Sequence, residues 1–379
     1  RRDKKLEFKF IPNPFQKAFI TVFLLTCCQA SANEEISLEE LGQDLFFNVN
    51  LSKYKNQSCA TCHSPTAAFS DPKQGKVSVG SDDISKGTRN SPSISYAALS
   101  PTFYTTDKGV HVGGFFYDGR ATSGKQQIRS TLLNPTEMAM PSEGEVINRL
   151  KQNYTFSKYL AQQSIDPESS GTETQFKVVL DALAQFQKGT QFLKFNSKYD
   201  RSLAGEYTLN PLEERGRSLF FSDVTNCMSC HHLSTHTDDK NQIFSDHLFH
   251  NIGVPNAGVA RTPDEGLANN VNVKREEGLG KFKTPSLRNV AVTAPYMHNG
   301  VFRKLETAIH FYNQHIVDRK MAKINPETGE FYGVPEVAEN IALDLLQKGQ
   351  PLSSDKIAAL VAFLKTLTDK EYEYLLTSQ

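Results

Sequence analysis

Two short runs of this sequence combine residue types that can hold an iron macrocycle. Cys59-Ala-Thr-Cys62-His63 and Cys227-Met-Ser-Cys230-His231 both read C-x-x-C-H. Two thiols at that spacing can add across the vinyl groups of a haem, and the adjacent imidazole then lies under the iron as an axial ligand. Competing chemistries fit less well. A thioredoxin-like dithiol has no trailing histidine, and a zinc ribbon separates its ligand pairs by about 15–20 residues. Here His63 and His231 are 168 residues apart. The sequence therefore predicts two covalently bound haem c groups, attached through Cys59, Cys62, Cys227 and Cys230.

The segments around each motif repeat in outline. LGQDLFFNVNLS at 41–52 leads into the first motif, and RGRSLFFSDVTN at 215–226 leads into the second. Each predicts a helix with Leu-Phe-Phe on its apolar face, followed by a loop to the haem. Each half also closes on an amphipathic helix, QFKVVLDALAQFQ at 175–187 and DKIAALVAFLKTL at 355–367, with apolar residues at i, i+3, i+4 and i+7. Residues 64–135 are rich in Gly, Ser, Pro and Thr and read mostly as loop. An irregular stretch that long is expected to wrap the haem or carry function. The fold expected is mainly α: two c-type cytochrome-like helical domains with long loops, residues 33–205 and 206–379, with one haem each.

At 379 residues, 38% apolar and 22% charged, the chain can bury two cores. Its 42 basic and 42 acidic residues balance, which argues against nucleic-acid binding. The first 32 residues read as a signal peptide: six basic and two acidic groups, an apolar run AFITVFLLTCC at 18–28, then Ala30-Ser31-Ala32. That run is too short to span a bilayer. Cleavage near Ala32 would export the protein to the periplasm and remove Cys27 and Cys28, leaving only the haem-attachment thiols. A lipid anchor on Cys27 or Cys28 is disfavoured by the residues before them.

What lies across each iron decides function: two strong ligands make an electron carrier, an open face makes a site for oxygen or peroxide. After His63 the next histidine is His111 and the first methionine is Met138. No residue just beyond the first motif is therefore an evident distal ligand.

The sequence resembles the bacterial di-haem cytochrome c peroxidase family and, within it, the MauG-type subgroup. The likeness runs over nearly all of 37–370 through LFFNVNLS, CATCH, VSVG, KGTRNSPS, FFYDGR, NPTEM, CMSCH, FHNIGVP, FKTPSLRNV, TAPYMHNG and AALVAFLKTLT. By that resemblance, the histidine that caps the first haem in the peroxidases is replaced by Ser81, a poor ligand, so this haem is open. The peroxide-handling Gln and Glu match Gln127 and Glu137, and a family proline beside them is Thr131. The second iron's sixth ligand, Met in the peroxidases and Tyr in the MauG type, matches Tyr312, with Met297 as the rival. The tryptophan usual between the haems is Tyr117, and the chain contains no Trp. A calcium ion is implied at Asn90, Thr293 and Pro295, oxygen donors of the kind calcium takes.

The expected protein is a periplasmic enzyme that reduces hydrogen peroxide at the first haem and draws electrons from a protein partner through a His231/Tyr312 haem. The alternatives are a classical peroxidase fed by a small cytochrome or cupredoxin, and a di-haem electron carrier without catalysis. In the MauG-like version the partner is oxidatively modified; in the classical one it only donates electrons.

Overall fold

The computed structural model describes residues 35–233 and 242–377; the expected signal peptide lies outside them. The longer helices are α1 (Leu38–Phe47), α2 (Gly124–Leu133), α3 (Glu143–Leu150), α4 (Tyr154–Gln162), α5 (Thr172–Phe186), α6 (Pro211–Phe220), α7 (Leu305–His310) and α8 (Ser354–Lys365). Among the described residues, strands are confined to two antiparallel two-residue pairs. The architecture is mainly helical, as expected.

Each half is organised by one helix crossing, α1 on α5 and α6 on α8. Both helices that precede a C-x-x-C-H motif start at a capping box, Ser37 with Glu40 and Asn210 with Glu213. Reciprocal side-chain bonds there satisfy backbone N–H groups that an open helix end leaves unpaired. The axes approach closely because a glycine sits at each crossing. A Cβ at Gly42 would run into the Ala182 carbonyl, and one at Gly216 into the Ala359 carbonyl. One turn on, Phe46 meets Phe186 at 5.2 Å between ring centroids, and Phe220 meets Phe363 at 5.2 Å. Leu41, Leu45 and Phe46 are fully buried in the first core, Phe302, Phe311 and Phe363 in the second. Tyr199, ahead of α6 in the chain, packs into the second core.

The likeness between the halves extends past the helices the sequence predicted. In the first, Phe115 bridges Ala121 around Phe116 and Gly119, both with φ of +62°. In the second, Tyr296 bridges Phe302 around Met297 at +70° and Gly300 at +66°. A helix follows each loop, α2 and α7. Helix α2 interrupts the stretch read as loop. Only Ile128 and Leu132 of its residues are buried, too narrow an apolar stripe to give a periodic signal, and its start depends on the Ser123 cap. By this alignment Thr131 and Tyr312 occupy equivalent places, each sixteen residues beyond the start of its loop bridge.

The crossing makes a stability prediction. Gly216→Ala gains about 1 kcal/mol of helix propensity, but overpacking against a fixed backbone typically costs about 1–3 kcal/mol. The contact to the Ala359 carbonyl is to backbone, which cannot swing aside, so the cost wins. Thermal unfolding of the haem-loaded protein should show a lower midpoint for Gly216→Ala; a higher one would refute the close-packing account.

Two candidate haem sites and the space between them

In the first half, Cys59 and Cys62 begin and end a single helical turn, and all three of Cys59, Cys62 and the following His63 line one cavity. Burial pushes the Cys59 thiol up to about 12. Burial, with Asp71 nearby, pushes Cys62 up to about 11. Both are therefore protonated, and no disulfide joins them. The His63 imidazole is kept neutral by burial. Its Nδ1–H donates to the Phe69 carbonyl at 3.1 Å, which fixes the tautomer and leaves the Nε2 lone pair for a metal. The second half repeats the arrangement: the His231 Nδ1–H donates to the Phe244 carbonyl at 2.9 Å, and burial again lowers the imidazole. Phe69 and Phe244 both hold positive φ, +56° and +58°, which turns each carbonyl toward its ring. Paired thiols beside an imidazole held through Nδ1 in both halves, with a cavity of about 1080 Å³ adjoining the first motif, fit covalently attached haem.

Gln127 and Glu137 line that same cavity. Gln127 Nε2 donates to the Thr131 hydroxyl at 3.0 Å, and Asn134 Nδ2 donates to Glu137 Oε1 at 2.7 Å. Burial raises the Glu137 carboxyl above its ordinary range, although hydrogen bonds from Thr131 and Asn134 oppose the shift. Thr131 thus touches both residues, linking amide to carboxyl. Ser81 is buried, and its hydroxyl donates to the Met138 carbonyl at 3.2 Å. His111 bonds Thr105 Oγ1 at 2.9 Å and faces Glu277 at 3.6 Å; it is not among the cavity residues, while Met138 borders the cavity from the first core.

In the second half, the Tyr312 hydroxyl lies near Cys227 and Cys230. Burial, with those thiols, pushes it well above the ordinary phenol range. Met297 packs partly buried against the second core, and His310 Nδ1 is engaged by the Tyr332 hydroxyl at 2.9 Å. Asp246 and His250 were not foreseen from sequence. Their ion pair spans 2.8 Å beside Cys230, the three offering ligand atoms within 4.8 Å of one another. FHNIGVP was the signal that could have pointed to His250.

Between the halves, Tyr117 borders the cavity, and its carbonyl accepts the Lys283 N–H at 2.7 Å. Burial raises its phenol, with the Arg89 guanidinium acting the other way. Arg89 pairs with Asp118 at 2.7 Å and Asp264 at 2.6 Å. Lys283, its ammonium drawn down to about 8 by burial, also faces the cavity. Arg89 and Lys283 stand in KGTRNSPS and FKTPSLRNV, yet nothing in their types or spacing set them apart. Asn90 is buried, with its N–H on the His298 carbonyl at 2.7 Å and its amide toward the Gly75 and Lys76 carbonyls at 3.5 and 3.3 Å. The Thr293 hydroxyl turns instead to the Asn289 and Val290 carbonyls, and Pro295 follows a cis bond. No hydrogen bond draws these three together.

Comparison with known proteins agrees with this geometry. Residues 37–208 match the family model described as di-haem cytochrome c peroxidase. The chain is 44% identical over 352 residues to the methylamine utilization protein MauG of Paracoccus denitrificans, covering 90% of each. It is 28% identical to the cytochrome c peroxidase Ccp of Escherichia coli, over 74% of this chain and 54% of that one. Among solved structures, the diheme peroxidase BthA of Burkholderia thailandensis superposes with a TM-score of 0.76 at 28% identity, covering 89% of this chain and 87% of the other. A MauG-like protein associated with microbial copper homeostasis gives 0.66 at 29%, covering 89% and 90%. With two C-x-x-C-H sites of one design and this likeness along nine-tenths of its length, the chain belongs to the di-haem cytochrome c peroxidase family, as an oxidoreductase that acts with peroxide and carries two c-type haems.

Proposed function

We propose that the protein is a MauG-like enzyme in which peroxide reacts at the first-half haem, held by Cys59, Cys62 and His63, and a protein partner is oxidised through the second, held by Cys227, Cys230, His231 and Tyr312. The observation that supports the reading is that Ser81, which by the family resemblance stands in place of the capping histidine, is buried and gives its hydroxyl to the Met138 carbonyl. Haem iron supplies the redox chemistry of peroxide cleavage. Gln127 offers an amide to hold peroxide in place. The buried Glu137 carboxylate takes the proton of the near peroxide oxygen and returns it to the far oxygen, which leaves as water. Thr131 and Asn134 hold that carboxylate in position. On the other side, Tyr312 would offer the second haem iron a hard anionic donor, which would favour the oxidised metal, whereas a thioether would raise the potential.

The partner is read as a protein that is oxidatively modified; the classical alternative, a small cytochrome or cupredoxin donor, requires a second haem of higher potential. The halves are assigned as domains 33–205 and 206–379, with Tyr199 anchoring the end of the first to the core of the second. Export to the periplasm is proposed from the basic and apolar start of the chain; among the described residues no helix is long and apolar enough to cross a membrane. A calcium ion at Asn90, Thr293 and Pro295 is supported by the oxygen-only donor set and the burial of Asn90. With the Thr293 hydroxyl engaged elsewhere, that residue and Pro295 would offer their carbonyls.

Electron paramagnetic resonance of the resting ferric protein tests the central claim: one high-spin and one low-spin haem are expected, and two low-spin haems would overturn it. Glu137→Gln should keep both haems attached yet slow peroxide cleavage by about 10²–10⁴, the range of acid–base assistance; stopped-flow absorbance reads the rate. Tyr312→Met should raise the potential of the second haem in a spectroelectrochemical titration. An unmoved potential would transfer the ligand role to Met297 or another group and leave the classical peroxidase reading.

A further inference from the structure

The chain has no tryptophan to carry charge between its halves, and Tyr117 is poorly built to replace one. A phenol oxidised at neutral pH must lose its proton, so a tyrosine relay needs a base at hydrogen-bond distance. Among the described residues no carboxylate accepts from the Tyr117 hydroxyl. The charged group beside it is Arg89, and the nearby Asp118 and Asp264 are both paired with that arginine.

Tyr96 has what Tyr117 lacks. It is 1% exposed, and its hydroxyl donates to Asp369 Oδ1 at 2.7 Å while accepting the Phe195 N–H at 2.9 Å. Asp369 is itself 1% exposed. Asn289 holds its other oxygen at 2.8 Å, and the Asp369 N–H returns to Asn289 Oδ1 at 2.8 Å. Burial makes this carboxylate more basic than usual, against the hydrogen bonds it accepts. A more basic acceptor takes the proton more readily.

Position completes the case. Tyr96 borders the first-half cavity. Its N–H donates to the Phe192 carbonyl at 3.0 Å, and the Phe192 ring lies 4.1 Å from that of Phe69, whose carbonyl holds His63. On the other side, the Arg288 guanidinium covers Tyr96 at 5.4 Å and Phe244 at 5.7 Å, and the Phe244 carbonyl holds His231. Tyr96 therefore stands in an unbroken series of contacts between the two candidate axial imidazoles.

We infer that Tyr96, with Asp369 as its proton acceptor, is a redox-active tyrosine that takes one oxidising equivalent from the peroxide reaction and relays it between the halves. In the step, one electron leaves the Tyr96 ring for the peroxide-oxidised centre of the first half. The Tyr96 O–H bond breaks, and its proton forms an O–H bond on Asp369 Oδ1, leaving a neutral phenoxyl radical and a neutral carboxylic acid. An electron from the protein partner later restores the phenol as the proton returns. The inference goes beyond the function proposed above, which assigned no role to either residue, and rests on it for peroxide cleavage in the first half and for the partner that supplies the returning electron.

The test is freeze-quench electron paramagnetic resonance of the di-haem protein after one equivalent of hydrogen peroxide. Wild type should give a tyrosyl radical whose spectrum narrows when the protein is grown on ring-deuterated tyrosine. Tyr96→Phe, with haem content and thermal midpoint showing that it is folded, should lose the signal, and Tyr117→Phe should keep it. Asp369→Asn retains the ring but cannot take the proton; it should also lose the signal, and it serves if Tyr96→Phe does not fold. A signal that survives Tyr96→Phe, or that disappears in Tyr117→Phe, overturns the proposal. So does wild type that consumes peroxide without forming a tyrosyl radical, and that result leaves the first-half reading standing.

Discussion

One hydrogen bond, made twice, underlies the rest of this structure: an imidazole Nδ1–H held by the carbonyl of a phenylalanine in left-handed conformation. A covalent attachment motif fixes where a haem plane can lie, but it does not fix the rotation or tautomer of the histidine that follows. The bond from Phe69 or Phe244 does both, directing Nε2 outward and increasing the basicity of the ring toward a metal. Each carbonyl is held in turn by its surroundings. The Phe69 carbonyl also accepts the Ile94 N–H at 3.1 Å, and the Phe244 ring is fully buried under the Arg288 guanidinium.

The two halves share this proximal design and differ in what they set opposite it. Helices α2 and α7 follow equivalent loops, so equivalent positions differ in chemistry on a common frame. At one such position Thr131 bears a small hydroxyl that touches Gln127 and Glu137. At its counterpart Tyr312 brings a phenol close to the cysteines of the second motif. A small polar residue leaves room for a substrate, and a long one can reach a metal. The same frame thus carries a different side chain at this position in each half, within α2 in the first and just past α7 in the second.

The surface between the halves is held by buried charge. Arg89, largely buried, joins Asp118 from its own half to Asp264 from the other. Buried pairs of this kind contribute little net stability, because the desolvation of both ions offsets most of their attraction, yet removing one partner is costly. Their effect here is to fix the relative placement of the two candidate sites, on which any transfer of charge between them depends.

The sequence by itself determined the cofactor chemistry and the outline of the fold. Cys59, Cys62 and His63 carry their meaning in adjacent positions, as do Cys227, Cys230 and His231. The Leu-Phe-Phe helices and the closing amphipathic helices carry theirs in periodicity, so each was readable locally. The quoted motifs, compared with a known family, singled out Gln127, Glu137 and Tyr312, which residue type alone would have passed over. Helix α2 was not legible, because two buried residues make no periodic pattern. The partners of single side chains were not legible either. The Ser81 hydroxyl turns to a carbonyl 57 residues away, and Tyr96 meets a carboxylate 273 residues away. The first pairing depends on how distant loops meet within one core and the second on how the two cores dock, and no local stretch of sequence encodes either. Tertiary structure alone decided which tyrosine between the halves has a base to receive its proton.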